Sequence, residues 1–86
     1  MDGPQIAQRA KEQISGLTGL KADTISSLAQ DDQGWHVAVD LVELRRIPDS
    51  SDMLATYQVQ LDAEGHLLGY KRTRRYRRDE AMAQED

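Results

Sequence analysis

Six of the eight residues in Lys71-Arg72-Thr73-Arg74-Arg75-Tyr76-Arg77-Arg78 are cationic, and no acidic residue interrupts them. Arginine presents a planar fork of donors that pairs two-fold with carboxylates or phosphates, and a neighbouring tyrosine adds a stacking surface. The chemistry on offer is recognition of an anion, and three anions are open. One is an acidic or amphipathic segment of a partner polypeptide. The second is the chain's own set of carboxylates, with Asp40, Glu43 and the residues after position 78 as candidates, in surface pairs worth about 0–1 kcal/mol each. The third is a nucleic-acid backbone, whose binding would weaken steeply with salt. The rest of the chain weighs against the third. The 86 residues carry 11 Lys+Arg against 15 Asp+Glu, a net charge of −4. Positions 1–66 hold five basic and eleven acidic groups and positions 79–86 hold four acidic ones, so both flanks repel a polyanion.

No other residues suggest chemistry. His36 and His66 lie in different elements without the paired spacing of zinc ligands. Asp31 and Asp32 diverge on an extended chain and have no apolar wall to shift a pKa, so they read as turn residues rather than a general acid/base pair. Asp49 and Asp52 lack the ligand series of a calcium loop. There is no nucleophile elbow, no glycine-rich phosphate cradle and no cysteine. The expectation is a protein that is not an enzyme and takes no metal or cofactor.

The elements that must carry the cations follow from periodicity. Ile6, Ala10, Ile14 and Leu17 recur at helical spacing behind Asp2, Gly3 and Pro4, predicting a helix that stops near Ser15–Leu17 and lies as a lid over a sheet. Thr24–Ala29 reads as a short first strand. From Trp35 to about Ile47 a second strand alternates, with Trp35, Val37, Val39 and Leu41 on one face. Beyond Leu41 the apolar phase slips to Val42 and Leu44, which predicts a bulge near Leu41–Glu43 or cover on both faces. Pro48 ends the ladder, with Asp49 and the serines satisfying the turn amides. Met53–Leu61 is the clearest strand, with Met53, Ala55, Tyr57, Val59 and Leu61 inward. Asp62–Gly65 is a tight hairpin, and a fourth strand runs from His66 or Leu67 towards Tyr76, carrying its arginines past the sheet edge. Positions 79–86 read as an acidic flexible tail.

The sum is one α+β domain over residues 1–78: an N-terminal helix packed on a four-stranded antiparallel meander, two layers deep. No run approaches the length of a membrane span and no signal peptide is visible, so a soluble, cytoplasmic protein is expected. An apolar second face at Val42 and Leu44 beside Arg45 and Arg46 would make a docking patch. It would act with Trp35 and with Arg72, Arg74, Arg75, Tyr76 and Arg77, or join two copies of the chain. Trp35 reads first as a core-rim residue and second as a partner contact. This reading requires that the guanidinium groups are not neutralised within the monomer.

An ordered series of motifs sharpens it. Gly34-Trp35-His36-Val37, Val42–Asp49, Asp52–Val59, Leu61-Asp62, Gly65, Gly69-Tyr70 and Arg74-Arg75-Tyr76 resemble, in order and spacing, the gas vesicle protein O family. The resemblance spans Leu17 to Arg78. His36 stands where a basic residue is usual, Asp40 where an acidic one is expected, and Gln58 where Glu is common. The resemblance implies an accessory protein of gas vesicle formation that assists shell nucleation or assembly by contacting other gas vesicle proteins. It implies no catalytic residue. A nucleic-acid-binding regulator using residues 71–78 is the alternative.

Overall fold

The structure, a computed structural model, describes residues 2–83, with side chains for 2–80. Its first element, α1 (Gly3–Thr18), starts where the sequence supplies donors and acceptors for a free helix end. The Asp2 carboxylate accepts the Gln5 N–H at 2.9 Å, and the Gln5 side chain accepts the Asp2 N–H at 3.1 Å. Gly19 closes the helix at φ 73°, donating its N–H to the Ser15 carbonyl. The helix outruns the expected stop because Thr18 Oγ1 donates to the Ile14 carbonyl and accepts from the Leu20 N–H. Leu17, expected on the buried stripe, is 54% exposed, and Leu20 packs against the core in its place.

Four strands follow in the order β1 (Lys21–Asp31), β2 (Gly34–Leu44), β3 (Met53–Leu61) and β4 (Leu67–Arg77), each antiparallel to its neighbour. A 3₁₀ turn at Asp49–Ser51 separates β2 from β3, and a short helix, α2 (Arg78–Ala83), follows β4. The expected two-layer α+β meander is therefore the observed fold. β1 is longer than its composition indicates, since pairing from Lys21↔Val42 to Asp31↔Gly34 recruits polar residues on both sides of Thr24–Ala29. β2 ends at Leu44, three residues short of expectation. Of the segment expected as a tail, residues 79–83 continue α2, and residues 84–86 lie outside those described.

Ile6, Ala10 and Ile14 of α1 pack on Val37, Val39, Leu41, Val59 and Leu61, all essentially inaccessible. Gln13 ties the helix to the β3–β4 hairpin, donating to the Gly65 carbonyl and accepting from the Leu67 N–H. The opposite face of the sheet is also buried at one end, where Ala38, Asp40, Val42 and Leu54 are almost fully covered. Leu54, which the alternation of β3 placed outward, belongs to this second cluster.

Candidate partner-binding surface

Strand register decides which of the candidate side chains meet. Val42 pairs with Leu54 but Leu44 pairs with Met53, so Glu43 is an extra residue in β2. Directly opposed residues share a face, and Met53 lies in the Ala55–Tyr57 row. The bulge therefore turns Leu44 to the helix side of the sheet. Val42 and Leu44 do not form one apolar patch: Val42 is buried, whereas Leu44 is 46% exposed at the sheet's end.

The bulge also aims Glu43. Register places Ala55 between Leu41 and Arg75, and this small side chain leaves room for the Glu43 carboxylate to reach across β3. Glu43 accepts a hydrogen bond from Arg72 Nη1 at 3.1 Å and forms an ion pair, without a hydrogen bond, with Arg75 Nε at 2.7 Å. Arg77 pairs with Asp79 and, more loosely, Glu80. Arg74 lies over the Tyr76 ring, 4.2 Å from its centroid. Arg45 and Arg46 are exposed beyond the end of β2. Neither they nor Arg74 nor Lys71 forms an ion pair among the described residues. Much of the basic run thus meets the chain's own carboxylates, and the cations left open are fewer than its composition suggests.

Tyr76 does a second job. From β4 its side chain crosses β3 to donate its hydroxyl to Asp40 Oδ2 at 2.9 Å, while Thr56 donates to Oδ1 at 2.6 Å. Asp40 is thereby a buried carboxylate held by two hydroxyls rather than by an arginine. Burial, then the bond to Asp40, pushes the Tyr76 phenol up to about 12. Trp35 sits half-buried against the core rim, its indole N–H without an acceptor among the described residues.

The side chain that organises this end of the molecule was not prominent in the sequence. Asp52, 1% exposed, accepts the Arg46 N–H at 2.7 Å and pairs with Arg78, whose own N–H donates to the Asp52 carbonyl. The Arg46 hydrogen bond, followed by Arg78, holds its carboxyl below the usual aspartate range. The side chains of Asp49 and the serines, expected to satisfy the turn amides, do not: Asp52 takes the Arg46 N–H, and the Ser51 and Asp52 N–H groups go to the Pro48 and Asp49 carbonyls. A Pro48-ended turn followed by Asp is the only local signal for this role.

The remaining surface offers an open, shallow depression lined by His36, Gln58, Gln60, Gly69, Tyr70 and Lys71, without converging acids or nucleophiles. Among the described residues no three His, Cys, Asp or Glu side chains come together. Nor is any helix among them long and apolar enough to cross a membrane.

A family model described as "Gas vesicle synthesis protein GvpO" matches residues 1–82. The chain belongs to this family. Gas vesicle protein O from Streptomyces sp. (strain CB03234) is 43% identical over 74 residues, covering 86% of this chain and 58% of the relative. Gas vesicle protein O1 of Halobacterium salinarum is 33% identical, covering 81% and 59%. Gas vesicle protein O of Haloferax mediterranei is 37% identical, covering 81% and 51%. The chain spans between half and three-fifths of the length of these curated GvpO relatives. No solved structure matches the chain.

Proposed function

We propose that this GvpO-family chain is a non-enzymatic accessory protein that assists nucleation or assembly of the gas vesicle in the cytoplasm through contacts with other gas vesicle proteins. The match over residues 1–82 carries this reading. A contact role is supported by the cations that the fold leaves open, Arg45, Arg46 and Arg74, on a surface without a converging set of reactive groups. Arg72 and Arg75 stay half-exposed beside the largely buried Glu43, and each turns one nitrogen to it, which leaves outward donors for a partner's carboxylates. Val42 drops out of the contact surface because it is buried, and Trp35 acts as a core-rim residue. The candidate contacts are then Leu44, Arg45, Arg46, Arg72, Arg74, Arg75, Tyr76 and Arg77.

The test is capture of the individual gas vesicle proteins of the same organism by wild-type protein and by a variant with Arg72, Arg74 and Arg75 changed to Glu. Loss of capture of a specific partner is expected. Undiminished capture of every partner would remove the arginines from the contact. Titration of fluorescent RNA and DNA at two salt concentrations checks the alternative, and no binding near physiological salt is expected.

A further inference from the structure

Ile47 is fully exposed, at 101% of its reference area, on a loop that is pinned rather than loose. The Asp52 carboxylate holds the Arg46 N–H, Ser51 donates to the Pro48 carbonyl and Asp52 donates to the Asp49 carbonyl. Arg78 in turn donates its N–H to the Asp52 carbonyl, fastening the loop to the end of β4. An isoleucine held out in water forgoes the stabilisation that burial would bring. A loop with this many internal bonds cannot collapse to hide it. Leu44, half-exposed at the end of β2, and the exposed Arg45 and Arg46 stand within three residues of it.

We infer that the Leu44–Ile47 corner is a preformed docking knob that seats in an apolar socket rimmed by carboxylates on another polypeptide, an inference that rests on the contact role proposed above. Charge complementarity names the rim. The chain supplies Glu43, Asp79, Asp23 and Asp52 to Arg72, Arg75, Arg77 and Arg78, but among the described residues brings no carboxylate within ion-pair distance of Arg45 or Arg46, Arg45 acting on Asp52 only from further off. The apolar tip names the socket, since Ile47 projects from a turn and needs a concave receiver. Strand addition is not the mode here, because Arg45, Arg46 and Ile47 lie beyond the end of the β2–β3 ladder. Pre-ordering of the loop lowers the entropic cost of binding. An anionic lipid surface fits less well: Asp49 is exposed on the same loop and the chain is net acidic. A two-fold contact between copies at this corner would set Arg45 and Arg46 against their own equivalents.

Each purified gas vesicle protein of the same organism is presented singly to wild-type protein, to Ile47→Ser and to Arg45→Glu/Arg46→Glu. Because Ile47 is fully exposed and Arg45 and Arg46 are exposed as well, unchanged melting temperatures verify that the variants fold. The expected result is one partner whose affinity falls about 10- to 100-fold with either variant, the range for losing a buried aliphatic anchor or an opposed charge. If that partner binds both variants as tightly as wild type, yet loses affinity for Arg74→Glu, the corner is wrong and the contact role stands. If no gas vesicle protein binds wild type, both readings fall. Phosphatidylglycerol vesicles that bind wild type but not Ile47→Ser would reassign the knob to lipid. A concentration-dependent dimer lost in Ile47→Ser would reassign it to self-association.

Discussion

Arg78 donates to both carboxylate oxygens of Asp23, at 3.2 and 3.3 Å. Asp23 belongs to β1 and Arg78 directly follows β4, so the pair joins the two outer strands of the sheet. In a flat four-stranded sheet those strands lie about 14 Å apart, beyond the reach of one arginine side chain. The sheet must therefore curl over the cluster of Asp40, Val42 and Leu54. Register shifts at Asp23, Glu43 and Thr73 supply the local twist that permits it.

Removing this clasp is expected to open that face. Asp23→Ala leaves a partly buried guanidinium with Asp52 alone, and should cost about 1–2 kcal/mol in urea unfolding. A stability equal to wild type would mean that the curl is set by the strands without the pair.

Tyr76→Phe tests the Asp40 site. The substitution keeps the ring under Arg74 but leaves a buried carboxylate with Thr56 as its one remaining side-chain donor among the described residues, which should cost about 1–3 kcal/mol. The phenol is pushed up to about 12, so the native state holds its proton longer than the unfolded chain. Its contribution is complete below the ordinary tyrosine value of about 10 and is lost as pH rises towards 12. Absorbance titration of Tyr76→Phe should lack the late phenolate transition of wild type; an unchanged curve would contradict the buried bond.

Two carboxylates tie stability to acid. The Arg46 N–H, then Arg78, lowers Asp52; the His66 N–H, then that of Glu64, lowers Asp62. A depressed carboxyl stabilises the fold above its unfolded value, and that stabilisation is lost as pH falls through the folded one. Stability should therefore decline below about pH 4. Asp52→Asn and Asp62→Asn should each flatten the decline of urea midpoint with acid, and slopes identical to wild type would count against both assignments.

Gly34 opens β2 at φ 120°, and a Cβ there would collide with the Leu61 carbonyl oxygen. Gly34→Ala should cost at least about 2 kcal/mol, from backbone strain and displacement of the end of β3. Thermal unfolding checks this, and a melting temperature within a degree of wild type would show that the strand ends yield freely.

Parts of this architecture are legible in single segments because they depend on local periodicity. Met53–Leu61 alternates strictly enough to place its strand to the residue, and Ile6, Ala10 and Ile14 mark the buried stripe of α1. Asp2 and Gly19 bracket that helix by chemistry confined to a few neighbours. The phase slip after Leu41 signals the bulge because an odd residue must break a period of two. Its consequence for Leu44 is not legible, since that depends on which residue of β3 stands opposite.

The order of charged residues along the chain established a basic segment between acidic flanks, and the motif series established the family. Neither determined which guanidiniums stay open. Ion pairing acts over a few ångströms between side chains 29 to 55 residues apart, so only strand register could bring Glu43 to Arg72 and Asp23 to Arg78. The same folding that occupies those arginines leaves Arg45 and Arg46 beside an exposed Ile47, because Asp52 fixes the loop that carries them.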